Sequence, residues 1–160
     1  MSVPTVKKYI DILEGSLLLR RLEPLHVNLS KRIVKAPKIY LRDTGLMHHL
    51  LGIGNVEVLH GSLHLGASWE TYVIEGIYRA AGKRFRYAFF RTHTGAEVDL
   101  VLETPTQRRI FIEIKYSSNP TPSKGFYTAA ADLAPNARYI IVPEGEKWQR
   151  SPELYVCGLQ

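Results

Sequence analysis

Two runs near the middle of the chain set polar side chains against apolar ones with a period close to two. The first is Glu97-Val98-Asp99-Leu100-Val101-Leu102-Glu103, and the second is Arg109-Ile110-Phe111-Ile112-Glu113-Ile114-Lys115. Successive side chains on a strand point to opposite faces, so this alternation predicts strands over 96–103 and 109–115. The five residues between them, Thr104-Pro105-Thr106-Gln107-Arg108, predict a hairpin turn. On a strict period of two, Val98, Leu100 and Leu102 share a face, as do Ile110, Ile112 and Ile114. Glu97, Asp99, Glu113 and Lys115 then fall together on the other side of the sheet. Carboxylates crowded beside one ammonium call for a chemical reason, and divalent-metal chemistry on phosphate is the leading one.

The flanking pattern supplies the remaining elements. Residues 4–18 read as a helix, with Pro4 suited to the first turn and Val6, Tyr9, Ile10 and Leu13 on one apolar face. Strands at 17–22 and 38–41 enclose a polar, basic loop or arm at 26–36. A helix followed by a two-stranded ribbon with a basic tip is the expected back half of a winged helix, and it suggests a piece of a longer protein. Asp43 is placed to cap a short helix through Leu46, Met47, Leu50 and Leu51, which Gly52 ends. Residues 52–61 read as a connector, dividing a winged-helix and linker region, 1–60, from a second domain, 61–160. The longest helical pattern runs from Ser62 to Ala81, where Gly82 stops it. At 100° per residue Glu70 lies on its apolar stripe with Val73, Ile74 and Ile77, while Glu75 lies about 140° away on the wet face. Strands follow at 85–91, 96–103 and 109–115, then a helix at 123–134 capped by Ser123, and strands at 137–142 and 154–159. The order predicts an α/β fold: a mixed central sheet flanked by helices.

Composition narrows the chemistry. The chain has 160 residues, 45% of them hydrophobic, and carries a net charge of +6. Residues 1–60 hold nine Lys/Arg against five Asp/Glu, so the basic excess is concentrated there. Lys31, Arg32, Lys35 and Lys38 form its densest cluster and are the candidate nucleic-acid-binding residues, attracting phosphate. No apolar run is long enough to span a membrane, and a membrane partner is not expected. The single cysteine, Cys157, fits a reducing, cytoplasmic setting. Histidines 48, 49, 60 and 64 match no closed zinc set, and His93 reads as an exposed turn residue. Trp69, Tyr72, Tyr78, Phe85, Tyr87, Phe89 and Phe90 read mostly as core.

Glu70, Asp99 and the Glu113-Ile114-Lys115 triplet resemble, in type and order, the signature of the PD-(D/E)XK nuclease-like superfamily, over roughly residues 62–142. Thr5 to Glu14 and Pro37 to Leu46 extend the resemblance to the C-terminal domain of a prokaryotic family of predicted AAA-type ATPases. In that family a P-loop module precedes a winged helix and this nuclease-like domain of unknown function. The chain has no Gly-x-x-x-x-Gly-Lys-Ser/Thr, so ATP would enter only through a separate ATPase module. The resemblance implies a restriction-endonuclease-like core and catalytic residues Glu70, Asp99, Glu113 and Lys115. Asp99, Glu113 and Glu70 would hold Mg2+ or Mn2+, with the Ile114 carbonyl as a further oxygen, and Lys115 would position the attacking water. Glu97 would be a second ligand or a partner of Arg91. The implied activity is phosphodiester hydrolysis on nucleic acid, DNA foremost, as the effector of the ATPase. The alternative is a catalytically inactive module for DNA binding or protein interaction.

Overall fold

Ser2 starts the first helix: its side chain accepts a hydrogen bond from the Thr5 amide, and Pro4 lies in the opening turn of α1 (Val3–Gly15). After a turn at Leu17, which has a positive φ of 62°, the chain enters β1 (Leu19–Leu22). Its antiparallel partner is β2 (Lys38–Leu41). Asp43 caps α2 (Thr44–Leu50) by accepting from the Leu46 amide at 2.8 Å, and Gly52 takes a positive φ just beyond that helix, both as the sequence predicts. The connector expected at 52–61 contains a short helix, α3 (Val56–His60), because Asn55 caps it through the Val58 amide. The long helix is α4 (Leu65–Ala81). Then come β3 (Arg86–Arg91), β4 (Glu97–Glu103), β5 (Arg109–Ile114), α5 (Lys124–Leu133) and β6 (Ala137–Val142). The chain closes with β7 (Trp148–Ser151), which the sequence reading missed, and β8 (Leu154–Gly158). This computed structural model describes residues 2–28 and 32–159.

The ribbon β1–β2 stands beside a six-stranded mixed sheet of order β3-β4-β5-β6-β8-β7. The β3–β4–β5 meander and the β7–β8 pair are antiparallel, whereas β6 runs parallel to both β5 and β8. Helices cover both faces, as expected for an α/β protein. On one face α5 brings Phe126 and Ala129 onto Val101, Phe111, Ile140 and Val156. On the other, α4 brings Val73 and Ile74 onto Phe89, Leu100, Leu102 and Ile112, and the ribbon adds Leu22 and Tyr40. Leu25 reaches the α5-side core from the segment after β1. That segment also pairs with the exposed edge of β3, through Leu25 N to Phe89 O, Val34 N to Arg91 O and His93 N to Arg32 O. Covering the edge in this way satisfies its free backbone groups.

A β-bulge in β4 changes the expected face assignment. Ala88 pairs with Val101 and Phe90 with Val98, so two steps along β3 match three along β4. The extra residue reverses the alternation at Asp99–Leu100. Val98 therefore packs on the α5 side with Phe90 and Val101, while Leu100 and Leu102 pack on the α4 side. The expectation that Val98, Leu100 and Leu102 share one face is corrected: the three lie on both faces.

Candidate functional site

The bulge determines where the acids meet. Glu97 and Asp99 on β4 and Glu70 on α4 converge on one cation, the ammonium of Lys38 at the start of β2. Lys38 Nζ lies 3.1 Å from Glu70 Oε1, 3.4 Å from Glu97 Oε1 and 3.8 Å from Asp99 Oδ1. The Tyr40 hydroxyl donates to the same Glu70 oxygen at 2.5 Å. Lys38 and Tyr40 are two residues apart on a strand, so they share a face. Ile39 between them points to solvent. Asp99 has a further partner, for its Oδ2 accepts the Ile114 amide at 2.9 Å. Glu97 also pairs with Arg91 at 3.6 Å, as expected.

Glu113 belongs to the second half of the site. It is buried, at 3% exposure, and both its oxygens accept the Ser123 amide, at 3.0 and 3.2 Å. Ser123 is the N-cap of α5, so this carboxylate sits at the positive end of a helix. Lys115 Nζ pairs with Glu113 at 3.0 Å. The expectation that Glu97, Asp99, Glu113 and Lys115 share one side of the sheet is corrected: Glu97 and Asp99 join Glu70 around Lys38 on the α4 side, whereas Glu113, paired with Lys115, alternates with Ile112 and Ile114 to the α5 side. Asp99 lies in the field of both groups.

The electrostatics follow from this crowding. Burial, then the negative charge of Glu70, raises the Asp99 pKa to about 6; the Ile114 amide and Lys38 oppose the shift, and Glu113 adds to it. Burial alone would lower the Lys38 pKa, but Glu70, Asp99 and Glu97 outweigh it and hold the ammonium above the ordinary lysine value. Burial and the adjacent Glu70 push the Tyr40 hydroxyl up, keeping it a proton donor.

A second polar cluster lies on the opposite flank of α4. Glu75, expected in solvent, is 7% exposed and accepts from Arg20 of β1, bidentately, and from Arg42 at 3.1 Å. The ribbon covers that flank and supplies the guanidinium groups, which the helix's own pattern cannot reveal. Burial alone would raise the Glu75 pKa, but the two arginines outweigh it and hold it below the usual carboxylate range. Arg20 in turn lies 3.6 Å over the Tyr78 ring, which stacks on Tyr87. Tyr72, expected in the core, is about half exposed on the outer side of α4.

Of the basic cluster, Arg32 and Lys35 are exposed beside the end of β3. Lys38 stands apart from them, turned inward onto the acids, and Lys31 lies outside the described residues. Of the histidines, His48 bonds to Ser68 at 2.6 Å and His60 to Tyr116 at 2.9 Å, whereas His49, His64 and His93 are exposed.

Among the described residues no group of three or more His, Cys, Asp or Glu side chains stands ready to hold a metal. The distances explain this. Magnesium needs oxygens at about 2.1 Å, whereas the acids here are spread to ammonium-pairing distances around Lys38. The donor chemistry nevertheless fits a hard cation, being carboxylate throughout. Among the described residues no helix is long and apolar enough to cross a membrane.

Fold and site define a mixed α/β domain that carries a half-buried carboxylate–lysine cluster. Residues 65–159 match the profile of a family described as a domain of unknown function, DUF4143, and the chain belongs to that family. Residues 1–57 match a second profile, domain of unknown function DUF8612. The chain is also similar to two uncharacterized proteins, Rv2008c of Mycobacterium tuberculosis and Mb2031c of Mycobacterium bovis. Each is 41% identical over 142 residues, which is 89% of this chain and 32% of theirs. The chain therefore spans about a third of the length of these curated relatives. A solved assembly of Thermococcus gammatolerans McrB AAA+ hexamers with bound McrC holds a chain that aligns with 96% of this one, over 60% of its own length. The TM-score is 0.42 and the identity 9%.

Proposed function

We propose that this domain is a PD-(D/E)XK nuclease-like effector that cleaves phosphodiester bonds in nucleic acid, DNA foremost, with a divalent cation, in the service of an AAA-type ATPase module. The observation that carries the reading is the convergence of Glu70, Glu97 and Asp99 on one point of positive charge, with the Glu113–Lys115 pair on the adjacent strand, whose Ile114 amide binds Asp99. Glu70, Asp99 and Glu113, helped by Glu97, would hold Mg2+ or Mn2+, which when bound supplies Lewis-acid activation of water and of the phosphate. Lys115, held by Glu113 at 3.0 Å, would orient the attacking water and offset charge developing on the phosphate oxygens. Arg32 and Lys35, exposed on the arm bound to β3, would take the flanking phosphates. The ATPase partnership rests on the resemblance of Thr5 to Glu14 and Pro37 to Leu46.

The purified chain, incubated with plasmid and single-stranded DNA, is expected to cut with Mg2+ or Mn2+ and not with EDTA. Asp99→Ala and Lys115→Ala should each lower the rate at least a hundredfold, on the order of a lost catalytic group. A second reading is favoured by Lys38 itself: an ammonium already neutralising the acids suits an inactive nuclease-like module for DNA binding or protein interaction. Salt-sensitive DNA binding without cutting in any metal would select that reading.

A further inference from the structure

The mechanism above leaves Lys38 unused, although it is the side chain the acids face. A surface ammonium has no need of three carboxylates, and three half-buried carboxylates crowded together repel one another without a cation between them. Lys38 reaches them from a different part of the chain, the first position of β2, directly after the exposed residues Ala36 and Pro37. Its flexible four-carbon stem can swing the charge outward without moving the strand. Tyr40, two residues on, makes its own separate bond to Glu70.

We propose that Lys38 is a working residue of the site: its ammonium and a divalent cation are alternative occupants of one cradle formed by Glu70, Glu97 and Asp99, and Lys38 thereby sets the metal affinity. This rests on the metal-site reading above. Two cations within one cradle repel, so they compete for it. The two also require different geometries. The ammonium holds the carboxylate oxygens at 3.1 to 3.8 Å, whereas magnesium draws its oxygens in to about 2.1 Å. Metal entry therefore requires Lys38 to leave and the acids to close by roughly 1 to 1.7 Å, the difference between those two geometries.

The test is calorimetric titration of Mn2+ into the folded full chain and its variants, with a lysine-ammonium nitrogen-15 spectrum alongside. Lys38→Met keeps the stem and removes the charge, and should bind Mn2+ at least tenfold tighter than the parent. Lys38→Arg keeps a cation and should show no such gain. In the parent protein, Mg2+ should move the Lys38 ammonium signal to a solvent-exchanged position, a readout that needs no variant and no activity. Equal Mn2+ affinity for parent and Lys38→Met would overturn the role of Lys38 and leave the metal site standing. So would a Lys38 signal that stays put while calorimetry records binding. Failure of every folded form to bind Mn2+ would overturn both, leaving Lys38 a permanent ion-pair partner.

Discussion

Asp99 shows how burial beside a like charge makes one carboxylate costly to the fold. Its pKa is raised to about 6 by burial and by Glu70, against an ordinary value of 3.8. Between those values the folded protein binds more protons than the unfolded chain, so stability falls as pH rises through this window. The cost is complete above pH about 6 and absent below about 4. Asp99→Asn removes the titration. Relative to that variant, the parent is expected to lose about 2 kcal/mol between pH 4 and pH 7, at about 1.4 kcal/mol per pKa unit. Urea denaturation of both proteins at the two pH values checks this, and parallel pH profiles would refute it. Glu75 shows the opposite sign: its pKa is held low by Arg20 and Arg42 once their pull outweighs burial. Its stabilisation is present at neutral pH and is lost as pH falls through the lowered value. At Asp99, on β4, burial and Glu70 outweigh Lys38, whereas at Glu75, on α4, the two arginines outweigh burial, so the charges set against each carboxylate decide the sign.

At the level of elements, the approach of α5 to the turn before β4 has little tolerance. A Cβ on Gly125 would lie 2.4 Å from the Gly95 carbonyl oxygen and 3.2 Å from the Glu97 amide nitrogen. Both neighbours are backbone, and Gly95 itself holds a φ of 91° in the turn that delivers Glu97 to the site. Alanine gains up to about 1 kcal/mol in helix propensity, but an overpacked backbone contact costs about 1 to 3 kcal/mol. Gly125→Ala is therefore expected to destabilise the protein by about 1 to 2 kcal/mol, and to shift the Glu97 and Asp99 amide resonances. Thermal unfolding and an amide spectrum test the two halves separately. The bulge in β4 is the other device at this scale, since it turns Glu97 and Asp99 toward α4 and the ribbon rather than leaving them above the hairpin.

For the whole molecule, the N-terminal ribbon and the sheet behave as parts of one core. Leu22, Leu25 and Tyr40 come from the first 43 residues and are 0%, 1% and 8% exposed. A truncated chain of residues 44–160 loses these side chains together with Lys38, Arg20 and Arg42. It is expected to unfold without a cooperative transition and to bind a hydrophobic dye, because both sheet faces are opened and Glu70 and Glu75 lose their cations. A sharp, dye-free melting transition for that fragment would count against a shared core. Much was legible in the sequence: the strands at the hairpin, the caps Asp43 and Ser123, the mixed sheet between helices, and the candidate acids with Lys115. These depend on local alternation and on hydrogen bonds between residues three apart, which any reading of neighbouring positions can find. Lys38 and Tyr40 were also within reach, as a polar pair on one face of a strand, but their facing partner was not. The bulge that splits Val98 from Leu100, the burial of Glu75 and the pairing of Lys38 with Glu70, Glu97 and Asp99 were decided only by the tertiary structure. Each depends on a cation or strand brought from tens of residues away, and a side chain's charge and face have no local signal for what the fold will set against them.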